Sequence, residues 1–247
     1  MDRQTLSALA HADHPIAAPL GEETVSGLLR RAIRKPDDHV LDLGCGSGAW
    51  LLRALEAHQG ITAVGVDTSD AGFDRTRELA AQAGVADRLE LRREDVTEYR
   101  SARDADVVLC VGSAYAFGDL LPALKAAGQH LAEDGIIVLG DCFWETEPDA
   151  ALRAELEDGP QKFADLSTTV SRVIADGWTP VYGYVSTVAD WDDYEWNWTG
   201  SLARWALDNP EHPDRDQALR AAAAHRDGWL NGYRGVLGFV TLLLRRT

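Results

Sequence analysis

The 247-residue sequence predicts an α/β fold, a doubly wound and largely parallel sheet, on three observations. Apolar runs of strand length alternate with amphipathic, helix-length stretches through the first 140 residues. Two of the runs, DVVLCVG (106–112) and GIIVLGD (135–141), are apolar almost throughout, as strands buried on both faces must be. The run VLDL (40–43) feeds directly into three alternate glycines, Gly44, Gly46 and Gly48, which mark a strand–turn–helix junction.

The elements follow in order. Glu23 to Arg34 has helical periodicity and is stopped by Lys35-Pro36. Val40–Leu43 is a short strand, and beyond the glycines Trp50, Leu51, Leu52 and Leu55 lie on one helix. ITAVGVD (61–67) is the second strand. Ser69 or Asp70 caps the next helix, which ends at Ala83-Gly84. RLELRRED (88–95) alternates as a third strand, and a helix around Leu120–Leu131 separates the fourth strand from the fifth. A helix over Phe163–Ala175 closes at Asp176-Gly177, and PVYGYVSTV (180–188) and VLGFVTLLLRR (236–246) are two further strands. Between these two lies a tryptophan-rich insertion with helical patterns at Ser201–Leu207 and Asp216–Leu230. The whole reads as one domain, 1–247, with an N-terminal helical cap (1–36) and a lid-like insertion (188–233).

Composition narrows the function. Forty acidic residues against 24 basic ones give a formal charge of −16, a field that repels phosphate backbones and disfavours nucleic acid. The one dense basic run, LLRRAIRK (28–35), has helical spacing and reads as the outer face of an amphipathic helix. No apolar stretch approaches the roughly 20 residues of a membrane span, and the N-terminus lacks a signal-peptide layout. Cys45, Cys110 and Cys142 sit beside apolar runs, as buried thiols of a reducing cytoplasm do. A cytoplasmic enzyme acting on something small fits these values.

The glycine turn lets a ligand press against the backbone where a helix begins and its N–H groups are unsatisfied. Asp42 stands just before the turn. Asp67 ends the second strand 19 residues after Gly48, where a carboxylate accepts both hydroxyls of a ribose. Asp95-Val96 ends the third, where an acid can accept from an exocyclic amine and an apolar side chain can cover a purine. All three acids fall at carboxyl ends of adjacent strands, the ligand edge of open α/β sheets. Any one of them can also serve only a turn; their joint placement carries the reading.

VLDLGCGSG, VGVDTS and REDV, in that order, resemble the first three motifs of the class I S-adenosylmethionine (SAM)-dependent methyltransferases, and the resemblance spans roughly residues 38–145. It implies a Rossmann-like, seven-stranded sheet whose last strand is antiparallel. It implies SAM as cofactor, with Gly44, Gly46 and Gly48 against its methionine part, Asp42 near the amino-acid end, Asp67 with Thr68 at the ribose, and Asp95 with Val96 at the adenine; Gly112, ending the fourth strand, joins this set. GCGSGA also satisfies the dinucleotide fingerprint G-x-G-x-x-G/A, so an NAD(P)-dependent oxidoreductase is the rival reading. Asp42 opposes it, because its charge would lie beside a pyrophosphate but welcomes an ammonium. A non-catalytic SAM-binding module is the third reading.

Methyl transfer from a sulfonium is an in-line displacement that rests on positioning, and a base is needed only when the acceptor must lose a proton. CVGSAYAFG (110–118) lacks the Asn-Pro-Pro or Asp-Pro-Pro of enzymes that methylate planar amines, and lacks an acid to begin a catechol-type magnesium site; no metal is expected. Ser113 and Tyr115 are candidate pocket residues. GDCFWE (140–145) and ADWDDYEWNW (189–198) resemble elements of small bacterial methyltransferases, which places Trp144, Trp191, Tyr194 and Glu195 over the acceptor as a lid. Tryptophans in such an insertion also serve as a satellite core. His14, Asp141 and Glu145 are the candidate bases. His11 and His14 have metal-like spacing on a helix but no third ligand. The expected partner is a small-molecule methyl acceptor on O or N, with no nucleic acid and no membrane.

Overall fold

The computed structural model describes residues 1–157 and 162–247. Two helices, α1 (Arg3–Ala10) and α2 (Glu22–Ala32), precede β1 (His39–Leu43). There follow α3 (Ala49–Ala57), β2 (Thr62–Asp67), α4 (Phe73–Gln82), β3 (Leu89–Arg93), β4 (Ala105–Val111), α5 (Leu120–Gln129) and β5 (Leu131–Trp144). Then come α6 (Ala150–Leu156), α7 (Leu166–Ala175), β6 (Trp178–Val185), α8 (Val188–Asp208), α9 (Arg215–Gly228) and β7 (Leu237–Arg246).

The seven strands form one sheet in the order β3-β2-β1-β4-β5-β7-β6. β1 to β5 pair in parallel, while β7 runs antiparallel to both its neighbours. The strand order reverses between β1 and β4, so a crevice opens at their carboxyl ends. Period-2 alternation divides the central strands between two apolar layers. Val40, Val107, Leu109, Ile136 and Val138 pack with Leu28, Leu29, Trp50, Leu51 and Leu55 of α2 and α3. Leu41, Leu43, Val108, Cys110, Ile137 and Leu139 pack with Leu120, Ala123, Leu124 and Val173 of α5 and α7. Strands covered on both faces need no polar side, which is why they read as continuous apolar runs.

The sequence places the strands within a few residues and misplaces three helical features. Neither Ser69 nor Asp70 caps α4: the N-cap is Gly72, Asp70 pairs with Arg93, and the Ser69 hydroxyl accepts from Ala71 N. α8 starts at 188 rather than near 201, fixed by a capping box in which Thr187 and Asp190 each bond the other's backbone N–H. His11 is the C-cap of α1 and His14 lies in the loop after it, so the two do not share a helical face.

α8 and α9 pack antiparallel in the insertion, and α1 lies against them through Ala10, Leu202 and Ala222, with Trp198 alongside. Asp13 ties the chain after α1 to α8, accepting from Ser201 Oγ at 2.6 Å and Arg204 Nη1 at 2.8 Å. Among the described residues no helix is long and apolar enough to cross a membrane.

Candidate functional site

The turn after β1 is held from beneath. Gly44 N and Cys45 N both donate to Val66 O, at 2.9 and 3.1 Å. Gly44 has φ +84°, and a Cβ there would lie 2.4 Å from Ser113 Cβ, so packing as well as conformation demands glycine. Gly46 has φ +54°, is exposed, and a Cβ there would meet nothing within 4 Å. One glycine thus fits the protein to itself; the other faces the crevice.

Asp67 ties turn to sheet. Its Oδ2 accepts from Gly46 N and its Oδ1 from Ser69 N, both at 2.9 Å, leaving each oxygen a further lone pair for a ligand. Asp42 is buried, and burial, with the Asp67 carboxylate nearby, pushes its carboxyl up to about 8. A cation arriving there would restore the charge. Gly112, at φ +69°, ends β4 on the opposite side of the crevice, where a Cβ would face only Ala17 O at 3.8 Å. Thr68 is exposed and Val96 buried. Asp95 is exposed, and its Oδ1 accepts from Thr97 N (2.8 Å) and Thr97 Oγ1 (2.7 Å), which hold its carboxyl below the usual range. It closes its own turn and keeps Oδ2 outside those bonds.

A strap of N-terminal residues lies across this crevice. Ser47 Oγ donates to Pro15 O at 3.4 Å, and Ile16, Ala18 and Leu20 are buried. Ala17 takes φ +55°, the one non-glycine residue with positive φ among those described.

Beyond the strap, the insertion brings together groups far apart in sequence. Glu195, 1% exposed, accepts from Tyr233 Oη at 2.6 Å and pairs with His225 Nε2 at 2.7 Å; His225 stacks on Trp198 with ring centroids 3.7 Å apart. A π-helical turn, Trp229–Tyr233, delivers Tyr233 to this place. Burial and then the Glu195 charge raise the Tyr194 and Tyr233 phenols. Tyr194 Oη lies 3.1 Å from His11 Nε2, and the His14 and Trp191 rings meet the Tyr194 ring edge-on. His14 is buried and its Nε2 lies 4.0 Å from Asp193 Oδ2. Asp141, also buried, sits on β5, its Oδ1 accepting from Cys142 N.

The structure therefore gathers His14, Trp191, Tyr194 and Glu195, and adds His11, His225 and Tyr233. Sequence reading missed His225 and Tyr233 because neither stands in a motif. Trp144 and Glu145 belong to a different groove, of about 280 Å³, with Arg153 and Phe163; Trp144 Nε1 donates to Glu157 there. The Ser113 hydroxyl donates to Leu43 O at 2.6 Å beneath the glycine turn, and Tyr115 is 65% exposed on a separate 3-10 turn.

Comparison with known proteins shows the family and the fold. The sequence matches a family described as "Methyltransferase domain" over residues 34–198. It is 29% identical over 214 residues to YjhP of Escherichia coli K12, a protein described as uncharacterized, covering 85% of this chain and 86% of that one. A SAM-dependent methyltransferase from Geobacter sulfurreducens, crystallised with S-adenosyl-L-homocysteine, superposes with TM-score 0.90 at 25% identity over 100% of this chain and 99% of its own. One from Thiobacillus denitrificans, with the same ligand, gives 0.89 at 25% identity and the same coverage.

Proposed function

The chain belongs to the methyltransferase domain family, and we propose that it moves a methyl group from SAM to an oxygen or nitrogen of a small molecule. The observation that carries this reading is the pairing of a buried, proton-holding Asp42 with an open glycine turn. That combination fits an amino-acid tail: the ammonium supplies the missing cation for Asp42, and Gly46 leaves room for the chain beside it. Asp67 takes the ribose hydroxyls with its remaining lone pairs, Thr68 lies beside it, and Asp95 with Val96 takes the adenine. A pyrophosphate would offer the buried Asp42 no cation to pair with, whereas an ammonium does, which favours SAM over NAD.

When bound, SAM supplies an electrophilic methyl carbon and keeps the electron pair of the broken C–S bond on sulfur. The protein's part is to hold the acceptor in line, exclude water and receive any proton. The strap (within 1–36) and the insertion (188–233) serve as the cover, with Trp191, Tyr194 and Glu195 walling the acceptor side. Among the three candidate bases, His14 is best supported, since it alone stands on the strap between the glycine turn and Tyr194. Asp141 lies on β5 and Glu145 faces the Trp144 groove.

Calorimetric titration with S-adenosyl-L-homocysteine (SAH), SAM and NADH tests the reading. Heat from the first two and none from the third is expected. Heat from NADH alone would sink it.

A further inference from the structure

Two buried polar atoms beside Tyr194 have no hydrogen-bond partner among the described residues: His14 Nδ1 and Trp191 Nε1. The His14 side chain is only 10% exposed. Both rings abut the same phenol edge-on, with centroids 5.5 Å (His14) and 6.2 Å (Trp191) from that of Tyr194. Buried polar atoms are rarely left unpaired, so two beside one phenol ring point to a ligand. Their neighbours are already engaged: Tyr194 Oη with His11, and Glu195 with Tyr233 and His225.

The two orphans want opposite things. An indole N–H only donates. The Asp193 carboxylate, 4.0 Å from His14 Nε2, favours the tautomer with its proton on Nε2, which leaves Nδ1 as a lone pair. A hydroxyl group carries both the acceptor and the donor that the two orphans lack. An oxygen has two lone pairs, so one can accept from Trp191 while the other attacks carbon. An amine nitrogen has a single lone pair, which is the nucleophile, and leaves the Trp191 N–H with nothing to bond.

Charge excludes another class. Glu195 is a buried carboxylate in the same wall, and two arginines of the insertion are already paired, Arg204 with Asp13 and Arg234 with Asp192 through two bonds of 2.7 and 2.8 Å. An acceptor presenting a carboxylate at this spot would meet that like charge. The flanking Trp191 and Tyr194 rings suit an aromatic body.

Resting on the SAM reading above, we propose that the acceptor is a neutral phenolic hydroxyl, its oxygen held by Trp191 Nε1 and its proton taken by His14 Nδ1. The O–H bond breaks with its proton passing to His14 Nδ1, and the electrons of that bond remain on oxygen. An oxygen lone pair forms the new O–C bond, and the pair that bound the methyl carbon leaves with sulfur. The positive charge of the sulfonium is exchanged for an imidazolium, so charge is conserved within the site.

Phenol, aniline and benzoate, three monosubstituted benzenes that differ in the polar group, test the assignment. Each is titrated into the SAH-saturated protein at pH 7.5 and followed by the indole 15N–1H resonances, that of Trp191 being assigned by its loss in Trp191→Phe. SAH binding is measured first and separately, so failure of the cofactor reading shows as an absent SAH signal and not as a weak phenol one. Phenol is expected to bind at least fivefold tighter than aniline or benzoate and to shift the Trp191 indole proton downfield. Trp191→Phe and His14→Phe should each weaken phenol at least fivefold with the SAH affinity held within twofold. The wild-type ranking stands alone should either variant fail to fold. Benzoate or aniline binding as well as phenol, phenol shifting no Trp191 resonance, or no phenol binding at all to the SAH complex would each overturn the proposal.

Discussion

Glu195 and His225, 30 residues apart, meet at 2.7 Å with the carboxylate sealed from solvent. Tyr233 closes the other carboxylate oxygen at 2.6 Å, so three segments of the insertion converge on one buried charge. Removing a buried charge's partner costs more than removing an exposed one. Glu195→Ala is expected to lower stability by about 2–4 kcal/mol in urea unfolding, because it leaves a cavity and two unpaired polar groups. Tyr233→Phe removes the hydroxyl that bonds Glu195 at 2.6 Å and lies 3.2 Å from His225 Nε2, and should cost about 1–3 kcal/mol.

Asp42 makes both stability and ligand binding depend on pH. In the free protein it holds its proton up to about pH 8, whereas in the unfolded chain it ionises at its ordinary value of 3.8. The folded state binds the extra proton across that window, so stability from this group is greatest below it and is lost as pH rises through it. Asp42→Asn should therefore raise the melting temperature, with a gap that widens from about pH 4 to about pH 8 and is constant above.

The same residue predicts proton release on binding. An ammonium partner requires Asp42 ionised, so SAH affinity should increase from pH 6 towards 8 with close to one proton released below that value. Calorimetry in buffers of different ionisation enthalpy reads the number directly. Asp42→Asn should abolish the release and weaken SAH by about 10- to 100-fold, the worth of one charge-assisted hydrogen bond.

Gly44 and Gly46 separate folding from function within three residues. Gly44→Ala places a Cβ 2.4 Å from Ser113 Cβ at φ +84° and should unfold or severely destabilise the protein. Gly46→Ala meets no protein atom, so its stability cost is limited to the left-handed backbone, about 1–2 kcal/mol. If the turn holds the cofactor as proposed, its methyl intrudes on the ligand's space, and SAH affinity should fall at least tenfold. Thermal melts with and without SAH distinguish the two.

Ala17 carries the converse strain, a side chain at φ +55°. Ala17→Gly should stabilise the protein by about 1 kcal/mol, seen as a rise in melting temperature.

The sheet was legible because its strands are buried on both faces, which forces apolar runs such as DVVLCVG and GIIVLGD. The glycine turn was legible because backbone geometry there admits few residue types. The first half of α8 was not. Its buried stripe runs Glu195, Thr199, Leu202, Ala206, and a stripe that begins with a carboxylate and a hydroxyl does not look like a core face. Thr199 satisfies itself on Glu195 O, and Glu195 depends on His225 and Tyr233, partners that only the tertiary fold supplies. The position of Trp144 after the apolar run of the fifth strand suggests a lid, but its indole bonds Glu157 and packs on Phe163. Asp95 offered no local clue to whether it faces a ligand or its own turn, since the Asx bonds to Thr97 use one oxygen alone.

The strap sets a timetable. It rests on the glycine turn through Pro15 and Ser47 and also contributes His14 to the far wall, with Asp13 clamped to α8. Whatever enters beneath residues 14–20 must do so before they settle, and the wall they build exists only afterwards. If the proposed function holds, turnover is expected to run in compulsory order, methyl donor ahead of acceptor and methylated product ahead of SAH, a sequence that product-inhibition kinetics would display as SAH competing with SAM alone.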